Sequence, residues 1–206
     1  MTTVHVLLAA KGADAVAITA LGALQTLLGF GDTLRALERR RIFELTCDGD
    51  EADVVRELES YLQRTFEFWN PNKERCWIRT DSQTLEVVSG QAPRSTDTPG
   101  EGGDHLLLWT RPEGTRGETT VPPTASDGMP RDFPANLGGR SVTARRGEVY
   151  TFRWADTPDE TERRERIDRA GAVRTRGVGL LVQPQYQLWQ VALGALPWPV
   201  WETAGR

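Results

Sequence analysis

Residues 1–80 alternate between short apolar runs rich in β-branched residues and stretches of helical periodicity, an order that few folds accommodate. Val4–Ala10 (VHVLLAA) reads as a buried strand. Asp14 is placed to cap a helix over Ala15–Leu28, whose Ile18, Leu21, Leu24 and Leu28 recur at helical spacing before Gly29 and Gly31 end it. Leu34–Cys47 reads as a strand or hairpin with Ile42, Phe43 and Leu45 toward the core. Asp48–Asp50 supplies a turn and cap for a second helix over roughly 51–68, with Val54, Leu58, Tyr61, Leu62, Thr65 and Phe66 on one side. Cys76–Thr80 (CWIRT) closes the unit as a strand.

A β-α-β-α-β order predicts two helices on one face of a small sheet, a ferredoxin-like layer. From Asp81 to Arg140 the pattern breaks into proline, glycine, serine and threonine around one strand, His105–Thr110 (HLLLWT). That composition predicts a linker or loop excursion that a partner would order. Periodicity returns at Val142. Glu148–Trp154 alternates as a strand, Asp156 or Thr157 is expected to cap a helix with Pro158 in its first turn, and the helix runs to Ala170. Gly177–Val182 and Leu188–Val191 read as strands. The expected fold class is α+β, with two ferredoxin-like (RRM-like) βαβ-type units. The expected segments are 1–80, an irregular 81–140, and 141–206 with a glycine-rich loop and a tryptophan-rich tail.

The formal net charge is −4 over 206 residues, so a nucleic-acid face has to come from a local cluster. Acids gather around Asp48–Glu59 and arginines at Arg39–Arg41 and Arg163–Arg176. The two cysteines, Cys47 and Cys76, are too few for a disulfide scaffold or a four-cysteine zinc site, and they suit a reducing cytoplasm. Thr19, Gly22, Gln25 and Thr26 interrupt the apolar stretch Val16–Leu28, which argues against a membrane span or secretory leader. A soluble cytoplasmic protein is expected.

The richest candidate site is the loop Gly171-Ala-Val-Arg-Thr-Arg-Gly-Val-Gly179. Glycine allows close backbone approach, and Arg174 and Arg176 offer planar donor forks suited to phosphate. With Gly177 and Gly179, and with Arg163, Arg164, Arg166 and Arg169 on the preceding helix, they form a candidate phosphate-gripping strip. Alternatively, the helical arginines pair with Glu160, Glu162, Glu165 and Asp168 on a solvated face. Alternation sends Arg39 and Arg41 to one sheet face and Arg40 to the other, for either backbone contact or edge protection. His5 and His105 are the only histidines, and His5 is the one candidate acid–base group. Asp48, Asp50, Glu51 and Asp53 read as a helix start, so no metal or cofactor is expected. Trp69 continues a helical face and also offers a base-stacking surface. Trp189, Trp198 and Trp201 lie in a proline-broken apolar tail that either folds back or docks on a partner.

The run from Ala135 to Val182 (NLGGRSVTARRGEVYTFRW, a helix, then RAGAVRTRGVGLLV) resembles the C-terminal part of CRISPR-associated proteins of the RAMP superfamily. The resemblance implies ferredoxin-like domains and a glycine-rich loop packed against guide RNA. Arg176-Gly177-Val178-Gly179 stands where such loops usually carry an aromatic residue. ITALGALQTLLGF followed by RRRIFELTCDGD is similar to opening segments of large CRISPR effector subunits. It is also similar to the small ferredoxin-like subunit of phosphoribosylformylglycinamidine synthetase. The leading expectation is a non-catalytic subunit of an antiviral effector ribonucleoprotein that binds guide RNA and neighbouring subunits. The alternatives are a guide-processing endoribonuclease using His5 and a small assembly subunit of a purine-biosynthesis complex.

Overall fold

The computed structural model describes residues 1–65, 69–97, 99, 102–110, 136–171, 179–183 and 187–196. In chain order these residues form β1 (Thr2–Ala10), α1 (Ala15–Leu27), β2 (Leu34–Cys47), α2 (Glu51–Thr65), β3 (Glu74–Arg79), β4 (Thr84–Val87) and β5 (Arg94–Ser95). There follow β6 (Asp104–Thr110), β7 (Asn136–Leu137), β8 (Arg140–Trp154), α3 (Glu160–Ala170) and β9 (Gln187–Ala192). The fold is mixed α+β, with mostly antiparallel strands and, among the described residues, three helices.

The chain divides into two compact units that interleave along the sequence. Residues 1–12, 40–98 and 123–147 belong to the first, and 13–39, 99–122 and 148–206 to the second. The expected segments 1–80, 81–140 and 141–206 do not coincide with them. β2 and β8 are long enough to give residues to both.

In the first unit the strand order is β5-β4-β3-β1-β2-β8, with β7 paired to β8. β1 is central, running antiparallel to β2 from Thr2↔Cys47 to Leu8↔Arg41 and to β3 from His5↔Arg79 to Ala10↔Glu74. Val4, Val6 and Leu8 of β1, Phe43 and Leu45 of β2, and Cys76 and Ile78 of β3 form one apolar face. Helix α2 covers it with Val54, Val55, Leu58 and Leu62, a stripe at helical spacing. Asp50 caps this helix by accepting from the Asp53 backbone N–H at 3.0 Å. Gly138 and Gly139 join β7 to β8 with φ +57° and +83°, the left-handed pair that a two-residue hairpin loop requires.

In the second unit the order is β2-β8-β6-β9. Strands β6 and β9 pair antiparallel from His105↔Ala192 to Thr110↔Gln187. Leu106, Leu108, Tyr150 and Phe152 meet Ala20, Leu24 and Leu28 from the α1 segment and Ile167 and Ala170 from α3. Asp14 caps α1 as expected, accepting from the Val16 and Ala17 N–H groups.

Several expectations are corrected. Helix α1 buries Ala17, Ala20 and Leu24, while Ile18 is 56% exposed. Of the two alternatives for Leu34–Cys47, strand or hairpin, the strand holds. The 81–140 stretch, expected to hold a single strand, also contains β4, β5 and β7. The cap of α3 is Asp159, whose side chain accepts from Glu162 N–H at 2.9 Å; it is neither Asp156 nor Thr157. Residues 179–183 form no extended strand.

Candidate nucleic-acid interface

Helix α3 carries the arginines singled out in sequence, and the fold gives most of them partners inside the second unit. Arg163 Nη1 donates to Asp104 Oδ1 at 2.9 Å. Asp104 is 2% exposed and also accepts from Trp154 Nε1 at 2.6 Å and from the Gly194 backbone N–H at 3.1 Å. Arg166 forks onto both oxygens of Asp156 at 2.8 and 2.7 Å and reaches Glu162 at 2.7 Å. Its hydrogen bonds hold the Asp156 carboxyl below the usual range, and the two carboxylates raise the guanidinium in turn. The Arg166 guanidinium also lies 5.3 Å over Trp154, whose ring stacks on Phe152 at 5.5 Å. Arg169 donates to the Leu28 carbonyl at the end of α1 and sits 5.0 Å over Phe30. Helix-local pairing of the kind expected accounts for Glu162 alone; the other acids are distant in sequence.

Arg174, Arg176 and Gly177 of the glycine-rich loop, and Trp198 and Trp201 of the tail, lie outside the described residues. Gly179 is described and has φ +81°, so this position does require glycine. Trp189 packs against the second apolar core from β9, opposite Leu108. Trp69 is 3% exposed and donates Nε1 to the Leu62 carbonyl at 3.0 Å, which makes it a core residue of the first unit.

Arg39 bonds Glu148 at 2.5 and 3.1 Å and lies 3.5 Å from Asp14. Arg41 donates to Glu74 at 2.6 Å, and Arg40, on the opposite face, is 7% exposed. His5 is 3% exposed in β1, with Nε2 3.2 Å from Glu44, which also accepts from Arg145. His105 is fully buried. Its Nε2 lies 3.2 Å from the Gly194 carbonyl and its Nδ1 3.0 Å from Thr151 Oγ1. A carbonyl only accepts, so Nε2 carries the proton there and a neutral ring takes the Thr151 hydroxyl hydrogen on Nδ1. Neither histidine is presented to solvent as an acid–base group. Among the described residues no cluster of His, Cys, Asp and Glu converges as a metal site.

A feature that motif reading missed is an open cleft of about 660 Å³ in the second unit. Its wall includes Arg35 of β2, Arg153 and Trp154 of β8, Arg163 of α3, and Gly102, Gly103 and Asp104 at the start of β6. Gly103 is there for space, since a Cβ would come within 2.5 Å of Thr151 Cγ2 and 3.1 Å of the Phe152 carbonyl. The cleft's acids are already engaged, Asp104 by Arg163 and Asp156 by Arg166. Arg153 Nε donates to Glu38 Oε1 at 3.4 Å. Arg35 is exposed and has no ion pair among the described residues. No single motif contains these arginines, which come from three separate elements. Compared with known proteins, the chain matches no family model, no curated protein and no solved structure. No helix among the described residues is long and apolar enough to cross a membrane.

Proposed function

We propose that this chain is a non-catalytic, RNA-holding subunit of an RNA-guided effector complex of the CRISPR RAMP type, working in the cytoplasm beside other subunits in antiviral defence. The observation that carries the reading is the arginine-lined cleft, walled in part by the same helix, α3, that leads toward the glycine-rich loop. Backbone recognition needs donors around a groove and no reacting group, and this cleft offers guanidinium groups with both of its carboxylates engaged. Two ferredoxin-like units are part of the proposal, supported by the β1-α1-β2-α2-β3 order and the central position of β1. The endoribonuclease alternative draws no support from His5, which is buried against Glu44.

The test is co-expression with the neighbouring genes of its locus, followed by purification and RNA extraction. A short RNA of uniform length, weakened in an Arg174→Glu/Arg176→Glu variant, supports the reading. A protein that carries no RNA and is bound to metabolic enzymes overturns it. One observation favours that second outcome, and with it a small assembly subunit of a purine-biosynthesis complex. Arg163, Arg166 and Arg169 already bond Asp104, Asp156 and the Leu28 carbonyl within the fold.

A further inference from the structure

We propose that the outer face of helix α1 is a docking trough for the chain's own C-terminal segment, with Trp198 and Trp201 as the groups that fill it. Docking of this segment needs no RNA and goes beyond the RNA-holding reading.

Composition and exposure mark the face as one that is meant to be covered. From Ala15 to Leu28 the chain carries no charged residue. A helix that is apolar all round belongs in an interior. Yet α1 buries one side, through Ala17, Ala20 and Leu24, while Val16, Ile18 and Leu27 are 48%, 56% and 69% exposed. At the helical repeat, Val16 and Leu27 stand on one rim of the outer face and Ile18 on the other. Thr19, Gly22 and Thr26, all exposed, form the floor between them. Gly22 adds a separate observation. Glycine inside a helix costs about 1 kcal/mol relative to alanine. Here a Cβ would meet nothing within 4 Å, so nothing among the described residues calls for glycine at this position. A segment lying close across the helix would call for it.

Size selects the occupant. A 13-residue helix is about 20 Å long and about 10 Å wide, so one face offers roughly 200 Å². A second copy of the chain would need about 800 Å² per partner for a stable dimer. A short extended segment fits what the trough supplies. Residues 197–206 (PWPVWETAGR), outside the described residues, carry two tryptophans and a valine within five positions of Leu196. The described chain leaves off close to α1. Gly194 donates its N–H to Asp104 at 3.1 Å, Asp104 accepts from Trp154 at 2.6 Å, and the Trp154 ring lies 6.3 Å from that of Phe30. Phe30 donates its backbone N–H to the Leu24 carbonyl, at the end of α1 that carries Leu27. An extended chain covers about 3.3 Å per residue, so the stretch from Leu196 to Trp201 reaches about 17 Å, most of the length of α1. Trp198 is therefore placed toward Leu27 and Trp201 toward Ile18.

The test labels the full chain with 5-fluorotryptophan and reads it by fluorine NMR. The chain has seven tryptophans, and Trp198→Phe and Trp201→Phe assign the two signals of interest. Wild type is compared with Ile18→Arg and Gly22→Arg, which put a charge into the trough at exposed positions. Thr161→Arg, the same change at an exposed position of α3, is the control. The expected result is that the Trp198 and Trp201 signals lie away from their denatured positions in wild type and in Thr161→Arg, and move to those positions in both α1 variants. The remaining tryptophan signals, unchanged, show that the variants keep the fold. Signals at the denatured positions in wild type overturn the proposal, as do displaced signals that Ile18→Arg and Gly22→Arg leave unmoved. Displaced signals that return to the denatured positions on dilution show that another copy's segment fills the trough, and the same-chain assignment then fails. No RNA is present, so each of these failures leaves the RNA-holding reading to its own test.

Discussion

Asp104 and Arg163 meet at 2.9 Å across 59 residues of sequence, one on the first residue of β6 and the other a turn into α3. The carboxylate is 2% exposed and the guanidinium 30% exposed, so the pair lies at the margin of the core with its acid fully inside. With Trp154 Nε1 and Gly194 N–H as further donors, Asp104 is the polar junction of the second unit. Asp104→Asn places an amide where three donors converge and removes the charge opposite Arg163. Stability is expected to fall by about 3 kcal/mol, as for a broken buried pair. Urea denaturation should show a lower midpoint with an unchanged slope. An unchanged midpoint would mean that the junction carries no load.

Arg169 and Arg164 of α3 differ in what they touch. It donates to the Leu28 carbonyl, one of the carbonyls a helix C-terminus leaves without an intrahelical donor, and lies over Phe30. Arg169→Ala is expected to cost about 1 kcal/mol from the lost hydrogen bond and cation–π contact. Arg164→Ala, at an exposed position of α3, should stay within about 0.5 kcal/mol of wild type. Equal stabilities for the two variants in thermal melts would contradict the assignment.

The helices and the longer buried strands were legible because their periods are local. The α2 stripe of Val54, Leu58 and Leu62 and the continuous run Val4–Leu8 leave few readings. Short or shared elements were not legible. The strand Thr84–Val87 has four residues, too few to establish a period, and Leu34–Cys47, equally readable as a hairpin, is one 14-residue strand. That strand serves two units, so its alternation is read against two different cores and looks broken from sequence alone. The partners of the α3 arginines were invisible for a related reason. Asp104 is 59 residues from Arg163, and Leu28 is 141 residues from Arg169, whereas helix-local pairing reaches only three or four. The cleft shared that fate, since Arg35, Arg153 and Arg163 come from β2, β8 and α3.

Cys47 and Cys76 are unpaired thiols, 3% and 0% exposed, and burial pushes both thiols up from their ordinary range. The reactive species is the thiolate, so inaccessibility and protonation act together against attack. A disulfide reagent at neutral pH is expected to label the folded protein at least about 10³-fold more slowly than the unfolded chain, the protection that ~4 kcal/mol of local stability provides. Two thiols should then titrate in denaturant. Fast labelling of Cys76 without denaturant would show that the β1–β3 region of the first unit opens readily.

Glu44 sets an acid limit on the first unit. Burial raises the pKa of its carboxyl, but the contact with His5 and the charge and hydrogen bond of Arg145 outweigh that, and the net direction is downward. A carboxylate whose folded pKa is depressed contributes stability that is present above its unfolded pKa, near 4.5. That contribution disappears as pH falls through the lower, folded value. Glu44→Gln removes the titration. The variant is expected to be less stable than wild type by about 3 kcal/mol at neutral pH, because the buried ion pair between Glu44 and Arg145 is lost. The difference should narrow below about pH 4.5, as protonation brings the wild-type side chain to the same neutral state. Denaturant titrations of both proteins between pH 7 and pH 3 measure this convergence. A gap that stays constant across the range would show that Glu44 keeps one protonation state throughout, and the acid sensitivity of the first unit would then have to be assigned to other carboxylates.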